Sequence, residues 1–172
     1  IFDLAKLDHF NAVYLRALPP EDFARIAEPY IRQSVKNPAV DAAAVAALLQ
    51  ARCEHLTDIP EKVDFFDALP DYDLALFTNK KSKTDADVSK AMLETAVPAL
   101  EALPEWTQES VHDALIGLAE KLGVKNATLM WPVRIAAAGK QVTPGGAVEI
   151  CHILGREETL RRLRLGLERL SA

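Results

Sequence analysis

The amino-acid sequence predicts an all-α protein, and three observations support this fold class. The chain has 172 residues, of which 49% are hydrophobic and 26% charged, as in a soluble globular protein of one ordinary domain or two small ones. Alanine and leucine are abundant, glycine occurs only 7 times, and β-branched runs are scarce, so local propensities favour helix. Apolar residues also recur at three- and four-residue spacing, the period of a helix with one buried face.

The first part of the chain divides into helices separated by proline and asparagine. Pro20 and the two acidic residues after it predict the first turn of a second helix, which runs to about Val35. Asp41 can cap an alanine-rich third helix that extends toward Arg52. A first helix, which ends before the two prolines at positions 19 and 20, is predicted from apolar residues at helical spacing: Leu4, Leu7, Phe10, Tyr14 and Ala17.

A domain boundary is predicted where the helical pattern shortens between Pro60 and Pro70. We therefore expect a three-helix domain over residues 1–66 and a second helical domain over residues 67–172. Within the second domain, the polar and lysine-bearing residues 78–87 predict an exposed connection between helices.

The remaining helices of the second domain are bounded by capping residues, glycine and proline. A helix that contains Val88 and Leu93 must be kinked or divided at Pro98. Thr107 can cap the next helix, which Gly123 ends. Three short helices that meet at glycine and proline corners then predict a compact, cage-like packing, over residues 132–138, 144–154 and 157–170.

Charge is distributed unevenly along the chain. The net charge of −5 argues against general nucleic-acid binding, because neutralisation of phosphates supplies most non-specific affinity. Residues 120–172 nevertheless contain nine Lys and Arg against five Glu, a local charge of +4 that leaves −9 for the remainder. This pattern is compatible with RNA bound at one place, although arginines on solvated helix faces produce the same imbalance.

Other bulk features indicate a cytosolic protein that forms part of a longer chain. The first residue is Ile1 instead of Met, which indicates a segment taken from a larger protein. No apolar run approaches the roughly 18–20 residues that cross a bilayer, so neither a membrane partner nor a location outside the cytoplasm is expected. Cys53 and Cys151 are expected to be buried free thiols. No oligomer is indicated, and we expect a monomer.

A family resemblance rests first on motifs in the last third of the chain. Residues 131–140 read Trp-Pro-Val-Arg-Ile-Ala-Ala-Ala-Gly-Lys, residues 143–145 read Thr-Pro-Gly, and residues 153–157 read Ile-Leu-Gly-Arg-Glu. In this order they resemble the closing signature of bacterial glutamyl-tRNA synthetases. Upstream, residues 105–107 read Glu-Trp-Thr before a helix that ends in Lys-Leu-Gly-Val at residues 121–124, which continues the match.

The resemblance also reaches the front of the chain, so it covers nearly all of it. Residues 6–11 read Lys-Leu-Asp-His-Phe-Asn and residues 14–16 read Tyr-Leu-Arg, similar to the entry into the helical half of that family. Residues 56–62 read Leu-Thr-Asp-Ile-Pro-Glu-Lys and are followed by Phe65 and Phe66, similar to the segment that links its three-helix domain to its anticodon-binding domain.

The resemblance implies the distal half of a class I ligase that attaches glutamate to its tRNA. By this resemblance the partner is glutamate tRNA, tRNA(Glu), and no DNA partner is expected. ATP and magnesium act in a catalytic part outside this sequence, and the present segment has no catalytic residue or cofactor of its own. Neither a His-Ile-Gly-His nor a Lys-Met-Ser-Lys motif occurs. Residues 80–83, Lys-Lys-Ser-Lys, only imitate the second motif, and a solvated basic loop is the preferred interpretation.

By the same resemblance, four residues match positions that contact the anticodon. Arg134 lies in the Pro-Val-Arg-Ile-Ala core, and Arg52 lies eight residues before the proline of the linking motif. In the family, an arginine at the position of Arg52 senses the third anticodon base and helps to reject glutamine tRNA. Thr143 and Pro144 match a loop that cups the bases, whereas Gly146 departs from the family, in which leucine is common.

Further polar residues allow both a functional and a structural interpretation. Lys140, Arg156 and Arg161 are candidates for phosphate contacts, or members of solvated faces. The two cysteines with His55 and His152 lack the spacing of a zinc site, so no metal site is expected. Trp106 and Trp131 are expected to pack and not to stack on bases.

Two alternative functions stay open at this point. The chain could be a free-standing helical module that binds another protein through an apolar helix face. It could also belong to a paralogue of the synthetase that selects a different tRNA.

Overall fold

The computed structural model describes the backbone of residues 4–172 and the side chains of residues 11–172, and it confirms the all-α prediction. Over the described residues the chain is helical apart from connecting segments and one isolated antiparallel bridge between Asn79 and Thr84. It forms two compact units, Ile1–Ala68 and Leu69–Ala172. The assignment of residues 1–66 and 67–172 to domains with separate roles stays a prediction.

The first unit contains helices α1 (Leu4–Ala17), α2 (Pro20–Ser34), α3 (Ala42–Leu49) and α4 (Ile59–Val63). Proline at the first position of α2 and the acidic residues after it match the free amides and the dipole of a helix start, as predicted. The Asp41 carboxylate accepts a hydrogen bond from the Ala43 amide at 2.9 Å and caps α3, also as predicted. The predicted stripe residues Leu4, Leu7 and Phe10 lie outside the residues whose side chains are described.

In the first unit, polar side chains form hydrogen bonds with backbone amides and carbonyls that lie outside the helices. Arg32 donates to the carbonyl oxygens of Asn37 at 3.0 Å and Val40 at 2.7 Å, which holds the segment between α2 and α3. The Asp67 carboxylate accepts from the amides of Lys36 at 2.8 Å and Asn37 at 2.9 Å. Backbone polar groups outside helices therefore find partners within the unit, as a stable loop requires.

The second unit contains helices α5 (Ala86–Glu101), α6 (Gln108–Leu122), α7 (Asn126–Ala138), α8 (Ala147–Leu154) and α9 (Arg156–Ser171). Thr107 caps α6 and Gly123 ends it in a left-handed conformation, as predicted. The sequence predicted that Pro98 would either kink or divide α5. The helix continues through Pro98, so it is not divided. Leu93, Ala96 and Leu100 around Pro98 are fully buried, and this burial outweighs the cost of a proline inside the helix.

The predicted starts of α7 and α8 are wrong, and burial explains both differences. Helix α7 begins at Asn126, six residues before the predicted start at Pro132, because apolar side chains of its first half, such as Leu129, are fully buried. This burial outweighs the cost of a proline inside the helix, about 3 kcal/mol. Helix α8 begins at Ala147, three residues after the predicted start at Pro144, which lies in the preceding loop.

Small residues allow α7 and α9 to approach closely in the core of the second unit. Ala136 and Ala137 of α7 are fully buried, and Gly166 of α9 faces them. A Cβ atom at Gly166 would lie 3.1 Å from the Cβ of Ala136 and 3.3 Å from the hydroxyl oxygen of Tyr72. A side chain at this position would therefore push its neighbours apart by a few tenths of an ångström, and glycine allows the close approach without this shift.

A buried charge network joins α9 to the end of α7. Arg162 is fully buried, and its guanidinium donates to the Ala137 carbonyl at 2.7 Å and to the Glu158 carboxylate at 2.8 Å. Arg161 donates to both oxygens of the same carboxylate at 2.9 and 2.7 Å. These hydrogen bonds, from Arg161 foremost and also from Arg162, lower the pKa of Glu158 to about 2 against the opposing effect of burial.

The pKa of Glu158 predicts a contribution to stability that disappears in acid. Because folding lowers this pKa from its ordinary value of 4.5, the contribution is complete above about pH 4.5 and is lost as the pH falls toward 2. We expect Glu158→Gln to lower the free energy of unfolding at neutral pH, and the difference from the parent chain to shrink from pH 4.5 downward. Urea denaturation at several pH values measures this difference.

Glu168→Gln is the matched control, because it removes one exposed carboxylate from the same helix. An equal loss of stability in both variants, or a loss in Glu158→Gln that does not change with pH, would show that the network contributes nothing specific.

Candidate nucleic-acid interface

Arg134, in the second half of α7, holds the loop that follows this helix in place. Its Nη1 donates to the hydroxyl of Thr143 at 3.0 Å and to the carbonyl oxygen of Lys140 at 3.3 Å. Its Nη2 donates to the carbonyl oxygen of Gln141 at 2.7 Å. One guanidinium therefore holds three residues of the loop over residues 139–146, here called the α7–α8 loop.

An aromatic ring supports the same guanidinium from the other side. The Arg134 guanidinium carbon lies 4.7 Å from the centroid of the Trp131 ring, a cation–π distance. The Trp131 indole nitrogen donates to the Leu76 carbonyl at 2.9 Å, which fixes the ring. Burial lowers the pKa of Arg134, but arginine stays protonated in proteins. Arg134 therefore acts as a rigid, charged support for the loop.

Within the α7–α8 loop, the structure divides the residues into inward and outward ones. Thr143 is only 8% exposed, and its hydroxyl accepts from Arg134 and donates to the Gly145 carbonyl at 2.9 Å. Pro144 is half-buried, and Val142 is 81% exposed. The Thr143 hydroxyl is thus occupied within the protein, while Val142 and the edge of Pro144 form the outer surface.

Sequence reasoning did not identify Val142. In the sequence, Val142 is a single apolar residue between two polar neighbours, which does not distinguish it from other loop residues. The start of α8 was also predicted too early, so the extent of the loop was underestimated. Exposed valine in a loop held by an arginine indicates a contact surface, because apolar side chains gain by burial against a partner.

A groove lies beside this loop and reaches the starts of α6 and α8. Its volume is about 600 Å³. Gly146 opens into it, and an added Cβ there would lie 3.2 Å from an oxygen of the Glu149 carboxylate. The same carboxylate oxygen accepts from the Gly146 amide at 3.0 Å and begins α8. Because glycine has no side chain, this part of the groove is open. The lining residues are Gln108, Glu109, His112, Met130, Gly146, Ala147, Val148 and Glu149.

Arg52 belongs to the first unit and, unlike Arg134, has no partner among the residues whose side chains are described. It is exposed at the end of a 3₁₀ turn, Gln50–Arg52, that continues α3. Within the described part of the chain its guanidinium makes no hydrogen bond or ion pair. The side-chain Nε2 of Gln50 donates to the carbonyl oxygens of Leu15 at 3.0 Å and Leu18 at 2.8 Å, and so fixes the turn against the end of α1. The backbone that carries Arg52 is therefore held in place, while no side chain of residues 11–172 occupies its donors.

Tyr14 also belongs to the first unit and is exposed, contrary to its predicted place in the apolar stripe of α1. It is 62% exposed, whereas Ala12 and Leu15 are buried. The buried face of the described part of α1 therefore runs through other positions than predicted. Tyr14 lines a groove of about 320 Å³ together with Asn11, Leu15, Glu54, His55, Leu56 and Thr57.

The three predicted phosphate contacts have different surroundings. Arg156 stacks 5.5 Å from the Trp106 centroid and donates to the Glu101 carbonyl at 3.1 Å. Arg161 is exposed, but its charge is balanced by the carboxylate it binds in α9. Lys140 is half-buried. The structure brings Lys140 together with Arg134, Thr143 and Pro144, and it places Arg156 and Arg161 on α9. Their phosphate contacts stay predictions.

The two tryptophans and the two cysteines are packed inside the protein or partly inside it. The indole nitrogen of Trp106 donates to the Cys151 carbonyl at 3.0 Å, and both tryptophans are half-buried, which favours packing over stacking on bases. Cys53 and Cys151 are free, buried thiols, as predicted, and burial raises the pKa of Cys151 to about 12. In the described part of the chain, no group of three or more His, Cys, Asp or Glu residues could hold a metal ion. Over the same residues, no helix has the length and apolar character to cross a membrane.

Comparison with known proteins identifies the class of this chain. The family model described as "Anticodon binding domain" matches residues 22–167. The chain therefore belongs to the anticodon-binding-domain family, and the predicted class is confirmed.

The relatives identify the enzyme with which this domain is associated. Glutamate–tRNA ligase of Clostridium tetani is 45% identical over 170 residues, which are 99% of this chain and 35% of that protein. The ligases of Clostridium botulinum and Clostridium acetobutylicum are 42% and 38% identical, over 100% and 99% of this chain and 35% of each protein. The chain thus spans about a third of the length of these relatives. The predicted resemblance to glutamyl-tRNA synthetases is confirmed.

Solved structures share the fold. The crystal structure of a glutamate tRNA ligase from Elizabethkingia meningosepticum in complex with its amino acid matches with a TM-score of 0.81 and 22% identity, over 98% of this chain and 33% of that one. The glutamate-tRNA synthetase of Elizabethkingia anophelis matches with a TM-score of 0.76 and 22% identity, over 97% and 32%.

The support of the α7–α8 loop by Arg134 is testable by hydrogen exchange. Lysine retains the charge of Arg134 but lacks the planar fork that bonds Thr143 and Gln141 together. We expect Arg134→Lys to speed amide exchange in residues 140–145 by about 3- to 10-fold, since one or two hydrogen bonds of about 0.5–1.5 kcal/mol are lost.

Arg25→Lys serves as the control for this exchange experiment, because it changes an exposed arginine on α2, in the other unit. Exchange in the loop that stays at the parental rate in Arg134→Lys would show that the turn itself, and not the guanidinium, maintains the loop.

Proposed function

We propose that this chain is the tRNA-binding part of a glutamate–tRNA ligase and that it recognises the anticodon of tRNA(Glu). The observation that carries the proposal is the preorganised α7–α8 loop, which exposes Val142 and Pro144 in a chain of the anticodon-binding-domain family. Relatives that are glutamate–tRNA ligases support glutamate tRNA as the partner.

The exposed surface of this loop suits unstacked bases. Anticodon bases lie in a single-stranded loop, where proteins contact their faces and read their hydrogen-bonding edges. Val142 supplies an apolar surface for a base face, and the edge of Pro144 lies two residues away. Arg134 acts in this proposal as a positioning residue, because its hydrogen bonds order the loop before RNA arrives and reduce the entropy lost on binding.

The third anticodon base is assigned in this proposal to the first unit. Arg52 has no hydrogen-bond partner among the residues whose side chains are described, and a guanidinium that bonds a base edge through two donors discriminates by about 1–3 kcal/mol in DNA recognition. Tyr14 adds an exposed aromatic face in the neighbouring groove, and stacking of a base on such a ring contributes about 1–3 kcal/mol. We therefore infer that the face of this base contacts Tyr14 while Arg52 reads its edge.

Catalysis belongs in this proposal to the rest of the ligase. ATP and magnesium would act there, since neither nucleotide-binding signature occurs in this sequence and the described residues include no cluster that fits a metal ion. We propose a monomeric protein of the cytoplasm. A paralogue that selects another tRNA would keep the same site but prefer a different anticodon, and a protein-interaction module would show no salt-dependent binding of tRNA.

The role of Arg52 is tested by comparing two tRNAs. One transcript carries the glutamate anticodon, and the other differs only at the third anticodon base, changed to that of glutamine tRNA. We expect the parent chain to prefer the first, and Arg52→Gln to reduce the ratio of the two dissociation constants by about 5- to 150-fold, because one specific base contact is lost.

Arg16→Gln is the control for charge, because it removes an exposed arginine from the same unit. It should weaken both complexes equally and leave the ratio unchanged. An unchanged ratio in Arg52→Gln would refute the assignment of Arg52, and a parent chain that binds both transcripts equally would refute glutamate anticodon recognition itself.

The proposed role of Tyr14 has a different signature. Stacking tolerates any base, so Tyr14→Ala should weaken binding of both transcripts by about 5- to 150-fold without changing their ratio. Tyr14→Phe retains the ring and should bind as the parent does. Equal binding by the alanine and phenylalanine variants, measured by fluorescence anisotropy, would remove Tyr14 from the site.

A further inference from the structure

We propose that residues 79–84, here called the lysine turn, form a contact surface for the phosphate backbone of the bound tRNA, separate from the residues that read bases. The proposal rests on the proposed function, because it requires that tRNA is the ligand. It concerns three lysines, Lys80, Lys81 and Lys83, which the sequence analysis interpreted as part of a solvated connection.

The lysine turn is a closed structure and not a loose connection. The backbones of Asn79 and Thr84 exchange two hydrogen bonds of 3.0 Å and form an isolated antiparallel bridge. The Asn79 side-chain oxygen accepts from the Ser82 amide at 2.8 Å, and the Lys83 amide donates to the Lys80 carbonyl at 3.1 Å. Four hydrogen bonds within six residues therefore define the positions from which the lysines project.

Buried polar residues anchor the turn to the body of the second unit. The Thr84 hydroxyl donates to the Phe77 carbonyl at 2.7 Å, and the Thr128 hydroxyl of α7 donates to the Ser82 carbonyl at 2.7 Å. Ser82, Thr84 and Thr128 are all buried. The polar side chains with structural roles thus face inward, while the three lysines between and beside them are exposed.

Lys83 adopts a backbone conformation that glycine would adopt more easily. Its φ is +57°, and in the described part of the chain no other residue except glycine has a positive φ. Side chains with a Cβ atom are disfavoured in this region, and glycine, asparagine or aspartate usually occupy it. A lysine here is a local cost to folding, which is understandable if its charge has a function.

The three lysines of the turn form no ion pair with the described residues, although Asp85 and Asp87 follow the turn in sequence. The nearest acidic residue in sequence, Asp85, uses its carboxylate to cap α5 by accepting from the Val88 amide at 2.8 Å. Exposed arginines of α9 differ in this respect, since Arg161 and Arg164 pair with Glu158 and Glu101.

A polyanion with regularly spaced charges is the partner that these features fit. Three unpaired cations within four positions are concentrated on one turn of a chain whose net charge is −5. Lysine acts as a compact point charge that suits phosphate oxygens, whereas base edges favour the planar fork of arginine. Contacts to phosphate position an RNA and add affinity without selecting its sequence.

The test uses the complete 172-residue chain and the two tRNA transcripts that differ at the third anticodon base. Lys80→Gln with Lys81→Gln removes two charges and leaves the strained Lys83 backbone untouched. We expect the slope of log K against log salt concentration for tRNA binding to fall by about 1 to 2, since each phosphate contact contributes roughly 0.7–0.9. The ratio of dissociation constants for the two transcripts should not change.

Lys36→Gln with Lys121→Gln is the charge-matched control, because both lysines are exposed and neither lies in the turn. It should retain nearly the parental slope. Lys80→Arg with Lys81→Arg keeps the charges and should also retain it, which separates loss of charge from damage to the turn. Equal slopes in the glutamine variant and the parent, or an equal reduction in the control, would overturn the phosphate contact.

Failure of the phosphate contact and failure of the proposed function give different results. If the parent chain distinguishes the two transcripts but the lysine variant keeps the parental slope, only the role of the lysine turn is refuted. If the parent chain binds the two transcripts equally, and this binding does not depend on salt concentration, tRNA is not the ligand and both proposals are refuted.

Discussion

The second unit depends on one buried cation, Arg162, and on the close contact of α9 with α7 that its hydrogen bonds require. A buried charge is tolerated only with partners, and the Glu158 carboxylate and the Ala137 carbonyl provide them. Ala137 is the penultimate residue of α7, so this bond fixes where that helix ends. The α7–α8 loop therefore starts from a backbone that cannot move independently of α9.

Two arginines of the candidate site illustrate different uses of one side chain. The guanidinium of Arg134 donates hydrogen bonds to the α7–α8 loop, and so supports the outer surface that neighbouring loop residues form. Arg52 has no partner among the described side chains and lies at the end of a turn that Gln50 holds in place. Rigid backbone with free donors suits direct reading of a base, whereas a committed guanidinium suits preorganisation of other groups. The same residue type thus has two roles in the proposed binding of RNA.

The extent to which the structure was predictable differs among its elements for physical reasons. Helix ends that depend on local chemistry, such as the Asp41 cap and the Gly123 terminus, were predicted correctly because neighbouring atoms decide them. The starts of α7 and α8 were wrong, because Pro132 is a local signal against helix and the burial of α7 overrides it. Tyr14 was assigned to a buried face, and only packing revealed which positions of α1 are buried.

The sequence by itself determined the helical class, the family resemblance and the residues to consider, since composition, caps and motif order are properties of the chain. Tertiary structure alone decided what those residues can do. Whether an arginine has free donors, a threonine is buried or a lysine is unpaired depends on atoms that are distant in sequence, such as Leu76 beneath Trp131 or Thr128 beside Ser82. Such contacts arise from packing between helices, which local propensity does not encode.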